Sequence, residues 1–283
     1  MSLSSRVPSA VDSAGFVPEL WSKKALDAVH SNLVCVPLVD HRWESELKYG
    51  DTMNVGILNT VNASEVVVGT AGSALNHASG AKLQIVIDQW YQAPVVIDEM
   101  TMLQAQISLV NKASREAGYA ISKQMDTSVN ALFSTLGSST VLGADGTAVD
   151  DDLLISLMET LDENDVPRDN RALIGDPSMW ADIMKIDKFV RSDYGSNKGS
   201  ETGKIGSIYG CPAYISNNLT AATTGAYGAL LHRDAIAIIA QQKINIRKVD
   251  EPLKHQSTIL ADALWGVKEM RDTFGKAFYT RKK

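Results

Sequence analysis

Histidine, cysteine and acidic side chains are the groups in this sequence that could bind a metal or act in catalysis, and their spacing favours neither role. The five histidines never occur as a pair at the helical or turn spacing that a metal site requires; they are His30, His41, His77, His232 and His255. The two cysteines, Cys35 and Cys211, are far apart, so they predict neither a zinc site nor a disulfide framework and suit a reducing compartment. We therefore predict no metal ligands, no cofactor-binding residues and no catalytic residues.

Two further stretches invite a test for chemistry. The run Asp150-Asp151-Asp152 could hold a cation, but the start of a helix explains it more simply, because acidic side chains stabilise helix N-termini. The glycine-rich stretch 191–206 fails the pattern of a phosphate-binding Walker loop: counting back from Gly203-Lys204, the first glycine position holds Lys198. No Gly-x-Ser-x-Gly nucleophile motif occurs either. The sequence therefore lacks the signatures of an enzyme.

Composition and charge are those of a globular protein with a large core. The chain has 283 residues, of which 45% are hydrophobic and 21% charged. A net charge of −6 argues against a dedicated nucleic-acid-binding protein, although the stretch 268–283 has six basic and two acidic residues. No apolar run is long enough to cross a membrane, and the first 20 residues lack the apolar core of a secretion signal.

The sequence of the first half predicts elements that have few large apolar side chains to pack against each other, apart from one long helix. A Ser- and Ala-rich arm precedes a short helix from Pro18 to about residue 33, and residues 45–93 are expected to form a long hairpin that lies largely outside the subunit's own core. Residues 97–136 are predicted to form one long helix with a single buried stripe, because apolar residues recur at three- and four-residue spacing: Leu103, Ile107, Val110, Ala117, Ile121, Met125, Val129, Leu132 and Leu136.

The second half predicts a compact region of helices and strands, which makes the fold class α+β. After a turn-rich linker, Asp150–Asp152 should begin a helix and residues 171–175 form a buried strand. Asp176-Pro177 should begin another helix, because proline fits the first helical turn. Strand-like segments then follow at 209–216, 235–239, 244–249 and 258–271.

This order of parts resembles the Hong Kong 97-type fold of tailed-phage major capsid proteins, over essentially the whole chain. The most similar segments are 16–21, 95–136, 205–219 and 232–237. In many such proteins a Gly-x-x-x-Gly turn, here from Gly206 to Gly210, leads to a strand that ends in Ser-Asn-Asn-Leu, here at 216–219. A His-x-Asp-Ala-Ile-Ala run, here at 232–237, then enters a return strand.

The resemblance implies a division of the chain. The expected parts are an N-terminal arm with a short helix (1–35), an extended loop with flanking strands (36–96), a peripheral domain with its spine helix (97–149), an axial domain (150–228) and the returning strands of the peripheral domain (229–283).

The resemblance also implies a function: a major capsid protein, not an enzyme, that self-assembles into pentamers and hexamers of an icosahedral shell around double-stranded DNA. Its expected partners are copies of itself, a portal protein, DNA held by non-specific contact, and scaffolding or decoration proteins as further candidates. Its expected location is the virion, after assembly in the host bacterial cytoplasm. Two alternatives stay open: the shell of an encapsulin-like bacterial compartment, and a small-molecule enzyme with its site in 150–228.

Overall fold

A computed structural model of the chain describes residues 33–46, 50–58, 80–104, 109–138, 140–186 and 206–281. The helices are α1 (Glu99–Gln104), α2 (Leu109–Ala131), α3 (Asp151–Glu163) and α4 (Pro177–Ile183). The strands are β1 (Thr52–Leu58), β2 (Gly80–Val86), β3 (Gln89–Asp98), β4 (Arg171–Gly175), β5 (Ser207–Ile208), β6 (Cys211–Ile215), β7 (Tyr227–His232), β8 (Ile236–Glu251), β9 (Gln256–Glu269) and β10 (Gly275–Tyr279).

The first sheet is antiparallel, with the strand order β3-β9-β8, and α2 packs on one of its faces. Side chains alternate between the two faces of a strand, so Ile236, Ile238 and Ala240 of β8 join the core beneath α2. The helix contributes Ile121 and Val129 to the same core. One amphipathic helix thus covers one face of the sheet.

The opposite face of this sheet is covered at one end by the β1–β2 hairpin. Ile85 and Ile87 at the base of this hairpin are buried against Ala237 and Ile239, the β8 residues that point away from α2. Residues 45–93 were expected to lie largely outside the subunit's own core, and this base is an exception to that expectation. The tip of the hairpin, 59–79, lies outside the described residues, as do the arm and the short helix up to residue 32.

The predicted helix from 97 to 136 is shorter in the structure. Residues 97–98 complete β3, α1 starts at Glu99, and α2 runs from Leu109 to Ala131 before a 3-10 turn at Phe133–Thr135. The predicted boundary between 96 and 97 falls within β3, because Val95, Val96 and Ile97 pair with β9. Residues 97 and 98 were included in the predicted helix because they precede its apolar stripe. In the structure they pair with β9 instead and extend β3. Ala117, Ile121, Val129 and Leu136 are buried as predicted, Val110, Met125 and Leu132 are half-buried, and the side chains of Leu103 and Ile107 are not described.

The second sheet has the strand order β10-β7-β4-β6-β5, with β4 parallel to β6 and antiparallel to β7. All five residues of β4 are buried, as the sequence predicts. Leu157 and Leu161 of α3 and Met179 of α4 pack in one core with this sheet. Both helices begin where predicted, because Asp150 accepts the N–H of Leu153 and Asp176 that of Met179, each at 2.9 Å.

The strands after residue 228 do not all return to the first sheet. The predicted boundary at 228/229 lies inside β7, and β10 pairs with β7 in the second sheet. Gly228 permits this pairing, since a Cβ there would lie 2.4 Å from the ring of Phe278. The final segment therefore belongs to both sheets.

We predict that Ile121→Asp destabilises the subunit by more than about 3 kcal/mol, because it places an unpaired carboxylate in the core beneath α2. Ile121 is 2% exposed, whereas the neighbouring Ala120 is exposed. Ala120→Asp is therefore the matched control and should unfold at nearly the wild-type urea concentration. Equal unfolding midpoints for the two variants would mean that the Ile121 side is not the buried stripe.

Candidate assembly surfaces

The three described histidines lie in separate environments. His41 Nδ1 is 2.7 Å from Glu44 Oε1, and its Nε2 is 2.8 Å from Val36 O. His232 is buried, accepts the N–H of Asp234 at 3.2 Å, and has a pKa lowered by its burial. His255 lies in the turn between β8 and β9. In the described stretches no three His, Cys, Asp or Glu residues come together as metal ligands; His30, His77, Gly203 and Lys204 lie outside those stretches.

Both cysteines are buried and form no disulfide. Cys35 lies in the core beneath α2, and Cys211 lies in the core of the second sheet. Burial raises the pKa of the Cys35 thiol, and the carboxylate of Asp126 raises it further. Burial likewise raises the pKa of Cys211. A catalytic cysteine needs a lowered pKa and access to its substrate, so neither thiol is suited to nucleophilic chemistry.

One space in the described part of 150–228 is too small for a small-molecule substrate. A space lined by Leu154, Met158, Ile208, Cys211 and other side chains has a volume of about 10 Å³, roughly what one water molecule needs. Nearby, Arg171 is fully buried and donates to Asp162 and to the carbonyl of Val166. Its hydrogen bond, with help from Arg168, lowers the pKa of Asp162. These hydrogen bonds connect the end of α3 to the turn before β4.

Several exposed apolar side chains lie at one end of the first sheet. Val96 of β3 and Val249 of β8 flank Thr258 of β9 in the pairing register, so all three lie at the end of the sheet near the β8–β9 turn. We call residues 96–100 and 249–256 the sheet tip. Four apolar side chains are strongly exposed there, namely Leu253 (99%), Met100 (69%), Val96 (54%) and Val249 (45%). Exposed apolar clusters of this kind are candidates for contact with another protein.

The polar side chains of the sheet tip include two close pairs. Lys254 Nζ lies 2.6 Å from Glu251 Oε2, and His255 Nδ1 lies 3.3 Å from Glu99 Oε2. Such exposed pairs contribute little to the stability of a subunit.

A second exposed surface lies on the face of the first sheet opposite α2, beyond the cover of the β1–β2 hairpin. We call it the open face. Trp90, Pro94 and Val96 point toward it from β3, and Trp90 is 73% exposed. Arg247 and Asp262 form an ion pair of 3.3 Å in its centre. The surface therefore places exposed apolar side chains beside an ion pair.

The sequence indicated neither surface by residue number. Strand-like spacing identified the segments that form them, but alternation alone does not reveal which apolar residues will lack cover. One feature of the sequence could have indicated the sheet tip. Leu253 lies between Pro252 and Lys254 in a turn, and turns normally expose polar residues.

No helix among the described residues is both long and apolar enough to span a membrane. A comparison with curated protein sequences finds no match. The family model described as phage capsid protein matches residues 80–259, which include β2 through the start of β9 and thus parts of both sheets.

Solved structures of phage capsids have the same architecture. A structure from Mycobacterium phage Che8 is 22% identical, with a TM-score of 0.82, and covers 93% of this chain and 97% of that one. The capsid structure of the Cyanophage P-SCSP1u is 16% identical, with a TM-score of 0.77 and coverages of 95% and 94%. The asymmetric unit of the bacteriophage PhiM1 mature capsid is 12% identical, with a TM-score of 0.74 and coverages of 93% and 92%.

These similarities confirm the Hong Kong 97-type fold that the order of elements predicts. The structural matches extend over nearly the full length of each chain, and the family model covers well over half of this one. The chain belongs to the phage capsid protein family.

Proposed function

We propose that this protein is the major capsid subunit of a tailed phage and forms the pentamers and hexamers of an icosahedral shell around double-stranded DNA. Membership of the capsid family makes it a structural shell protein. The observation that supports the finer proposal is the sheet tip, where Leu253 is 99% exposed at the end of a sheet that carries a core on each face farther along. Contact with another subunit would remove these apolar side chains from water, which is favourable.

Closed rings of identical subunits require heterologous contacts, in which two different surfaces of the same chain meet. Under this proposal the second sheet with α3 and α4 forms the axial domain at the ring centre, and the first sheet with α2 forms the peripheral domain. The described surface of α3 offers Ile155, and the adjacent β5–β6 turn offers Tyr209, each more than 40% exposed. Both side chains lie on the part of the chain proposed to face the ring centre.

The arm (1–35) and the extended loop (45–93) are proposed to bind neighbouring copies. The β1–β2 hairpin is anchored to its own subunit through Ile85 and Ile87, so its far end has a fixed starting point from which to reach a neighbour. The open face around Trp90 is a surface on which a segment from another copy can lie.

The shell is proposed to assemble in the host bacterial cytoplasm and to persist in the virion, with a portal protein and, in some systems, scaffolding or decoration proteins as partners. The encapsulin-like alternative predicts the same subunit contacts but different contents. Purified shells that carry host-cell cargo protein in place of DNA would favour that alternative.

We predict that Leu253→Asp prevents shell formation while it leaves the subunit folded. A residue that is almost fully exposed contributes little to the subunit, so the free energy of unfolding should change by less than about 0.5 kcal/mol. In a shell, the added carboxylate would be buried without a partner at every copy of the contact. Electron microscopy and sedimentation measure assembly, and Leu253→Met is the control that keeps the side chain apolar. Normal shells from Leu253→Asp would show that the sheet tip is not an assembly contact.

We also predict that removal of residues 1–15 impairs shell formation and leaves the core folded. The deleted segment lacks the apolar periodicity of a core element. Its absence removes interface area from every subunit, and even a weak loss is multiplied over a closed shell. Circular dichroism should match the full-length protein, while micrographs should show fewer closed shells. Intact shells of normal stability would contradict a role of the arm in assembly, and an unfolded product would place the segment in the subunit core.

A further inference from the structure

Asp126, in the C-terminal half of α2, is a carboxylate with no exposed surface. One of its oxygens, Oδ1, accepts the backbone N–H groups of Cys35 at 2.8 Å and Val36 at 3.4 Å. The other, Oδ2, accepts the side-chain amides of Asn218 at 3.1 Å and Asn130 at 3.3 Å. A buried charge is tolerated only when such donors replace water, so the two sets of bonds depend on the same group.

The hydrogen bond from Asn218 connects the Oδ2 atom of Asp126 to the second sheet. Asn218 is in the Ser-Asn-Asn-Leu segment that follows β6, and Ser216 of that segment donates its N–H to Gly175 O of β4 at 2.9 Å. Helix α2 holds Asn218 by further bonds, because its Nδ2 also donates to Thr127 Oγ1 at 3.0 Å and its carbonyl accepts from Asn130 at 2.9 Å. Movement of the second sheet would therefore displace Asn218 and change its hydrogen bonds to α2.

The Oδ1 side belongs to the segment that emerges from the N-terminal residues. After Cys35 the chain crosses the edge of β8, where Asp40 accepts the N–H of Ile238 and donates to Ile236 O, each at 3.0 Å. Residues 33–40, which we call the strap, thus fix the point at which residues 1–32 join the described part of the subunit. Cys35 and Val39 of the strap are buried in the core beneath α2.

We propose that Asp126 is a positioning residue that couples the strap to the second sheet. Loss of the strap's two N–H donors leaves Oδ1 without its described partners in the core, and the carboxylate must then reorient toward the amides of Asn130 and Asn218. Buried polar networks are sensitive to the loss of a single member, so a displacement on one side changes the bonds on the other. Where residues 1–32 bind a neighbouring copy, which rests on the proposed function, this coupling transmits that contact to the axial part of the same subunit.

Hydrogen–deuterium exchange of the full-length protein tests the coupling in both directions. Cys35→Pro removes the N–H that Oδ1 accepts, and the φ of −77° at Cys35 suits proline. Cys35→Ala loses the same thiol but keeps the N–H, so it is the matched control. Cys35→Pro should speed exchange of the Ser216 and Asn218 amides by about tenfold, within the range typical of coupled sites, and Cys35→Ala should not.

In the reverse direction, Asn218→Ala should speed exchange of the Cys35 and Val36 amides by a similar factor. The adjacent Asn217 is exposed, so Asn217→Ala is the control. In an Asp126→Asn background Cys35→Pro should have no added effect on residues 216–218, since the shared carboxylate is gone.

Changes confined to the mutated side in both directions would overturn the coupling. If Cys35→Pro fails to fold, the comparison of Asn218→Ala with Asn217→Ala still tests the coupling, through exchange of the Cys35 and Val36 amides. Micrographs of the same samples report assembly independently, so absence of shells, which would contradict the proposed function, is distinguishable from absence of coupling.

Discussion

The alternation of side chains along β8 is the constraint on which the subunit depends. Ile236 and Ile238 point to α2, while Ala237 and Ile239 point to the hairpin base, so one strand carries two cores on its two faces. A shift of the register by one residue would exchange the two sets. The same sheet is longer than the elements that cover it, and its uncovered end is the sheet tip. The apolar surface at the tip therefore follows from the architecture that stabilises the rest.

The two sheets are joined by the chain in several places, which makes them parts of one subunit. β7 in the second sheet leads through Arg233–Ala235 directly into β8 in the first. β9 returns through a 3-10 turn at Asp272–Phe274 to β10 in the second. A buried carboxylate, Asp126, adds a polar connection through α2. A shell protein benefits from such ties, because forces between neighbours must pass through each subunit.

Local signals in the sequence predicted the helix starts at Asp150 and Asp176 and the buried strand β4, since each depends on residues within one turn or one strand. The end of β3 and the membership of β10 were missed, because both depend on pairing with strands that lie more than 40 residues away in the chain. The overall fold was recognised from the order of elements. The exposed tip could not be predicted, because exposure of Leu253 and Met100 depends on how far α2 and the hairpin extend over the sheet. Asp126 gave no signal, since a lone acidic residue on a helix normally faces solvent.

Cryo-electron microscopy of the purified full-length protein would show directly whether identical subunits cover the sheet tip in a closed shell. We expect closed particles built of rings of five and six subunits, with density from a neighbouring copy in van der Waals contact with Leu253. Monomers in solution, or shells in which Leu253 faces solvent, would contradict it.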